Sequence, residues 1–462
     1  MTETLPHGHS PATVHSPVSR LPRPSASPPS AAGLTTAGLT TVSLTIVSLT
    51  TGRGAALYIG ALLGPGLLLL PGLAAAEAGP ASVLAWAGLL VLSGLFAVVF
   101  GALGRGFPSA GGVVGYVRAG LGARASAVAG WSFLAGVVAG APVVCLIGAG
   151  YVTQLTGGGT LARALIAAAL LLAVMALAAG GLQASATAQL LLVGLLIGVV
   201  VIAVIGSARW SHAANWTPFA PHGWQAVGHA AATLMLSFVG WEAVAPLTTR
   251  FTDPARQLPR VIGTALAVTS VLYLGLAIAT ISVLGNGAGI SAPLAALLRD
   301  AAGPAGAAAA AVAAVVLTLG SVNAYVTGAV ELTRSRGAGT GAGQARRPAP
   351  GLLTAIALSG LALISLYGLG LASPAALVAL PTTLFLVVYL GCMTSAARML
   401  RGPARWAAAP AAVVVAAILA YCGWALLAPL AVILAVCLAR PLARAVRQAR
   451  GRAHGQSSSG HE

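Results

Sequence analysis

The stretch MLSFVGWEAVAPLTTRFTDPARQLPR, residues 235–260, sets one carboxylate, Glu242, in an apolar run directly after Gly240 and Trp241. The 462-residue chain has only seven Asp and Glu in all. Three of them, Glu77, Glu242 and Glu331, fall within or at the ends of long apolar runs. An ionisable group at bilayer depth is costly and points to a function. Three roles are open to Glu242. It could carry a proton, since burial lets a carboxyl exchange protons nearer neutral pH. It could tie an unwound backbone to a neighbouring helix, or it could receive a substrate amine. Glu77, at the end of the first run, reads as structural. Glu331 stands three residues before Arg334, the spacing of a helix-face ion pair.

A second feature carries chemistry without a charged side chain. Gly64-Pro65-Gly66 interrupts the run AALYIGALLGPGLLLLPGLAAAEAGP, where proline removes a backbone donor and glycine favours unwinding. Alone this could be an ordinary kink. The run from Ser237 to Glu242 is interrupted at a comparable depth, and unwound backbone in a bilayer must be buried or line a cavity. Broken helices present free N–H groups at one end and free C=O groups at the other. Such a pair of ends suits the carboxylate and the ammonium of a zwitterion.

The elements that must hold these breaks are membrane helices. The chain is 58% hydrophobic and 7% charged, and its apolar runs are about twenty residues long, enough to cross ~30 Å of hydrocarbon. The alternation of a β-barrel is absent. The predicted spans are 54–77, 82–104, 125–152, 160–180, 186–207, 226–248, 260–284, 304–332, 351–371 and 374–397. The run 405–440, divided at YCGW (421–424), supplies two more short helices, for twelve in all. Residues 1–52 form a Ser/Thr/Pro-rich tail and 442–462 a basic one; the first tail and the end GRAHGQSSSGHE (451–462) are expected to be disordered, and residues 53–441 form the membrane domain.

The net charge of +17 comes from arginines scattered between spans, with no lysine, and reads as a topology signal rather than a nucleic-acid surface. With both termini cytoplasmic, Arg53, Arg105, Arg118, Arg124, the arginines of 250–260, 334–347 and 398–405, and the C-terminal cluster share one side. Only Arg163, Arg209 and Arg299 remain on the other. Arg250, Asp253, Arg256 and Arg260, with Pro254 and Pro259, are expected to form a rigid charged connector. Cys145, Cys392, Cys422 and Cys437 lie in apolar runs without metal spacing, and His212, His222 and His229 lie in or near an outer loop. No metal set, cofactor loop or enzymatic cluster is expected.

Two interrupted helices at corresponding places, first and sixth, in two halves of five spans point to an inverted-repeat transporter. LLGPGLLLLPGLAAAEAGP, RGFPSAGGVVGYVRAGLG and FVGWEAVAPLTTRFTDPARQLPR, with SVNAYV and YLGCMTSAARMLRG, resemble the signatures of the amino acid–polyamine–organocation superfamily. Within it, the bacterial exporters of L-methionine and branched-chain amino acids are the group resembled. The resemblance implies an all-α fold of five plus five inverted helices with two more. It also implies secondary transport of amino acids across a bacterial cytoplasmic membrane, as an exporter or antiporter.

By the same resemblance Gly64, Pro65 and Gly66 would face the substrate carboxylate, and Phe238, Val239, Gly240 and Trp241 its amino group. Trp241 would cap the pocket; Asn323 and Tyr325 match an Asn-x-Tyr that would line it. The spans hold no acidic cluster, which fits small neutral amino acids rather than polyamines. Uptake or exchange by the same fold is the alternative direction, and a membrane sensor a remote one. The coupling ion is a proton at Glu242, or sodium held by span-one carbonyls and a hydroxyl such as Ser321. Membrane lipids are the other expected partners.

Overall fold

Proline and glycine decide where the apolar helices of this chain stop. The computed structural model describes residues 50–64, 66–107, 112–180, 186–241, 251–290, 292–337 and 350–438. Both tails, Pro65, Glu242, and the side chains of Glu331 and Arg334 lie outside what it describes. Every regular element it describes is a helix. α1 (Thr51–Leu62) starts at Thr50, whose hydroxyl accepts from the Arg53 N–H at 3.4 Å. The chain leaves the helix at Leu63 and Gly64, and α2 (Gly66–Ala78) resumes beyond Pro65. α3 (Ser82–Gly106), α4 (Gly112–Thr156), α5 (Thr160–Ala179) and α6 (Ala186–Ser207) follow.

The second half opens with α7 (Gln225–Leu234), which tightens into a 3₁₀ turn over Met235–Phe238. α8 (Pro254–Leu284), α9 (Pro293–Gly337), α10 (Pro350–Gly368) and α11 (Pro374–Met399) complete it. α12 (Pro403–Ala420) and a last short helix, α13 (Gly423–Leu438), stand outside the repeat. Nine helices among the described residues are long and apolar enough to cross a membrane. The first span is in two pieces, the sixth is described only as far as its break, and α13 is shorter; with these three the spans number twelve.

The repeat shows in the order of irregularities. In each half a broken span is followed by a plain one, then by a third carrying a kink near its start. That kink is at Gly122 (φ 84°) in α4 and at Ala302–Gly303 (φ 68° at the glycine) in α9. Five spans separate the equivalent elements, an odd number, so the second half is inverted relative to the first.

These kinks join each third span to a helix that hydropathy alone reads as a loop. Residues 112–121 carry Arg118 and three glycines, which lowers the mean hydropathy. Yet Val113, Tyr116 and Val117 are spaced to share one face and are buried. The charged segment after the sixth span is likewise not a loop connector in its described part. Asp253 caps α8 by accepting from the Arg256 N–H at 3.3 Å, and Pro254 takes the first helical position. The Arg256–Asp253 ion pair, 3.7 Å apart, is well exposed and adds little.

One apolar core runs through the bundle, with Trp86, Trp241, Tyr58, Tyr273, Tyr389 and Phe385 fully buried. Large apolar side chains also face outward all around it, among them Leu191, Ile205, Val271 and Trp406, 70% exposed or more. An apolar outer belt on a packed bundle is a lipid-facing surface. One residue of the arginine-poor end departs from a simple topology signal. Arg163, in the first turn of α5, is 7% exposed. Its Nε donates to the Leu146 carbonyl at 3.0 Å and its guanidinium lies 5.4 Å from the Tyr367 ring centre. It thus ties α5 to α4 and α10 from within.

Candidate functional site

The two interruptions meet. The backbone of Gly240, with φ at +138°, passes so close to α1 that a Cβ there would overlap the Ala61 carbonyl oxygen and stand 3.3 Å from the Leu62 Cα. Only glycine accepts both that φ and that approach. On the other side, a Cβ on Gly66 would lie 2.9 Å from the Ser237 hydroxyl oxygen and 3.0 Å from Leu70. The end of α1, the start of α2 and the end of the 3₁₀ turn at Phe238 therefore form one junction. Residues that lie 171 to 179 positions apart in sequence are joined there because glycine lets two backbones touch.

Unwound backbone in an apolar bundle needs partners, and tyrosine hydroxyls supply them. Tyr389 of α11 accepts from the Gly240 N–H at 3.1 Å and from the Trp241 N–H at 3.2 Å, and donates to the Phe238 carbonyl at 3.4 Å. Tyr58 of α1 donates to the Trp241 carbonyl at 3.0 Å. The Tyr273 hydroxyl of α8 stands 2.7 Å from both the Leu62 and the Ser237 carbonyl oxygens. It has one proton and donates to one of them at a time. Two carbonyls, one from each break, thus converge on a single point. Each such partner matters, since a buried backbone group left unpaired costs about 1–3 kcal/mol.

The aromatic side chains are locked by the same neighbourhood. Trp241 is fully buried, its indole N–H donates to the Ser93 hydroxyl at 2.9 Å, and Tyr58 meets it edge-on at 5.5 Å. Phe238 packs between Trp86, at 6.0 Å, and Tyr273, at 5.3 Å. Val239 is buried beside them. The Ser237 hydroxyl is buried and has no hydrogen-bond partner among the described residues.

The residues expected from sequence are brought together unequally. Gly66, Phe238, Val239, Gly240 and Trp241 line the junction, and Gly64 borders it with no atom of the described residues within 4 Å of where a Cβ would stand. Pro65 and Glu242 lie outside the described residues. Tyr325 lies near Tyr273, and a Cβ on Gly140 would stand 3.8 Å from its ring. Asn323 is two residues earlier on the same helix, turned away by about 200°, and is only half-buried.

Tyr58, Tyr273, Tyr389 and Ser93 are the residues that motif reasoning missed. Their types carried a signal, because a hydroxyl inside an apolar span must find a partner. Which backbone group each one meets was not readable.

A protein-family model described as "Amino acid permease" matches residues 39–337. The uncharacterized amino acid permease YecA of Bacillus subtilis is 32% identical over 388 residues, 82% of this chain and 91% of its own length. The L-methionine/branched-chain amino acid exporter YjeH of Escherichia coli is 28% identical, over 80% of this chain and 91% of its own. The branched-chain amino acid permease BcaP of Bacillus subtilis is 27% identical over about half of each chain: 53% of this one and 57% of its own.

Proposed function

The chain belongs to the amino acid permease family, and on that premise we propose that it is a secondary active transporter of small neutral amino acids. It works by alternating access and exports methionine and branched-chain amino acids in exchange for protons. The observation that carries this reading is the junction of the two breaks. The start of α2 offers backbone N–H groups and helix-end partial charge to a carboxylate. The Leu62 and Ser237 carbonyls converge on the Tyr273 hydroxyl at 2.7 Å each, a place where an ammonium could be received. A zwitterion is held there without a charged side chain, and the apolar lining from Phe238, Val239 and Trp86 favours an uncharged side chain on the substrate.

On this reading Gly64, Pro65 and Gly66 address the carboxylate, Phe238 to Trp241 the amine, and Tyr325 and Asn323 the flanks. Glu242, next to the junction in sequence, is the coupling residue. The membrane domain is 53–441, with tails 1–52 and 442–462 on the cytoplasmic side. The arginine distribution supports that orientation, and the exposed apolar belt supports contact with lipid. The exporter named among the relatives supports outward transport; the permease named beside it supports the second reading, uptake by the same site.

The test is efflux of preloaded labelled methionine and leucine from cells making the protein, with and without a proton gradient, alongside Glu242→Gln. Efflux that needs the protein, the gradient and Glu242 is the expected result. Efflux that survives in the variant removes the coupling role from Glu242. No efflux from correctly inserted protein defeats the exporter reading for these substrates.

A further inference from the structure

Away from the junction, at the arginine-poor end of the bundle, one carboxylate is in an unusual position. Glu77 sits in the last turn of α2, against α7. Its Oε1 accepts from the Thr233 hydroxyl of α7 at 2.7 Å. Its Oε2 is buried and has no hydrogen-bond partner among the described residues. The Glu77 carbonyl oxygen lies 2.9 Å from Nδ1 of His222, which donates to it when that nitrogen carries a proton. His229 of α7 acts on the carboxyl electrostatically, and Tyr421, in the turn after α12, backs the His229 ring at 5.3 Å.

The segment carrying His222 is laid over this end of α2. The Ala81 N–H donates to the Phe219 carbonyl at 2.9 Å, and Gly79 leaves room for Pro221, whose Cγ would stand 2.7 Å from a Cβ there. The same loop is pinned to α8, where Asn215 Nδ2 and Trp216 Nε1 donate to Ser282 at 2.8 and 3.1 Å. α2 and α7 are the continuations of the two breaks, so the seam that Glu77 and Thr233 close leads toward the junction.

This packing suits one protonation state. A carboxylate with a buried, unpartnered oxygen bears a desolvation cost that the single Thr233 hydrogen bond offsets only in part. Addition of one proton to Oε2, taken from water on that side, removes the charge. Oε1 still accepts from Thr233 in the neutral acid. The carboxylate is instead served by an arrangement in which water reaches Oε2, which requires α7 or the overlying segment to move off α2. The titratable groups that face Glu77 are His229 from α7 and His222 from the overlying segment; α3, α4, α8 and α9 present none to it among the described residues.

We propose that Glu77 is a proton-binding site, and that its occupancy by a proton holds α7 and the 217–224 segment closed against α2. The sense of the coupling rests on the transport reading above, in which this end is the outer one. Proton loading and closure toward the outside are then one linked equilibrium, and the ligand that biases it is the proton itself.

The test needs no substrate. Full-chain protein in nanodiscs of phosphatidylethanolamine and phosphatidylglycerol is followed by infrared difference spectroscopy between acid and neutral pH. The expected result is a buried protonated-carboxyl band that Glu77→Gln abolishes. A cysteine placed at Ala230 of α7, in a cysteine-free background, reports opening through labelling by a membrane-impermeant thiol reagent, normalised to unfolded protein at each pH. Its labelling is expected to rise with pH by roughly tenfold per linked proton and pH unit, and to stay slow throughout in Glu77→Gln. A band that survives Glu77→Gln, or labelling that ignores pH in the parent protein, overturns the proposal. If Glu77→Gln does not fold, Glu77→Asp must keep the band and Thr233→Val must shift its titration; a titration indifferent to Thr233 overturns it equally. Failure of amino-acid transport would defeat the function proposed above and leave these readouts unchanged.

Discussion

The two interrupted helices solve the same backbone problem in opposite ways. In the sixth span the break is sealed: Gly240 touches α1, Tyr389 takes the N–H groups of Gly240 and Trp241, and Tyr58 takes the Trp241 carbonyl. In the first span the break keeps an open side at Gly64. The Gly64 N–H turns back to the Leu62 carbonyl at 2.9 Å, the Leu67 N–H returns to the Gly64 carbonyl at 3.2 Å, and no atom of the described residues stands within 4 Å of a Cβ on Gly64. One break is a packed anchor and the other keeps free space beside its helix end. A site that must bind and release needs both: rigid backbone to aim the polar groups, and one side that a ligand can approach.

The comparison predicts a graded response to substitution. Gly240→Ala should be the most damaging, since a methyl group must displace the Ala61 carbonyl and the residue must keep φ near +138°. A loss of about 3 kcal/mol or more is expected, read as a collapsed melting temperature in detergent and loss of inserted protein. A stable, transporting Gly240→Ala would mean that the sixth-span break is not the rigid half. Tyr389→Phe comes next, because it leaves two buried N–H groups without their acceptor; about 2–4 kcal/mol should be lost. Thermal unfolding checks it, and a loss below that of Tyr58→Phe would reverse the ranking of the two hydroxyls.

Ser93→Ala removes only the acceptor of the Trp241 indole and should cost about 1–2 kcal/mol, with the Trp241 fluorescence shifting as its partner goes. Gly64→Ala should be the mildest, within about 1 kcal/mol of the parent in stability, since the added methyl meets none of the described residues and restricts the unfolded chain. Its effect should fall instead on transport, as a rise in the apparent KM for substrate. Unchanged stability with unchanged transport would show that the open side of the first break does not face the ligand.

Much of the architecture was legible because it is local. Apolar length announced the spans, Gly-Pro-Gly announced the first break, and YCGW at 421–424 announced the division between α12 and α13. The helices at 112–121 and 293–302 were not, because Arg118, Arg299 and their neighbouring glycines and alanines lower hydropathy without preventing a helix. Arg163 was readable as an end-of-span charge but not as a buried tie to Leu146 and Tyr367. Glu77 was visible as an acid at a helix end; that its second oxygen is enclosed depends on α7 and the 217–224 segment arriving from far along the chain.

By itself the sequence determined the class, the number of spans, the places where helices stop and the even distribution of irregularities over two halves. Those follow from the reach of a helix across hydrocarbon and from the backbone limits of proline and glycine, and both act within a few residues. The tertiary structure alone decided which hydroxyl meets which open peptide group. Tyr58 and Trp241 are 183 positions apart, Tyr389 and Gly240 149, and Tyr273 and Leu62 211. Pairings at such distances leave no local pattern, because a buried hydroxyl demands a partner without specifying one, and packing chooses among those within reach.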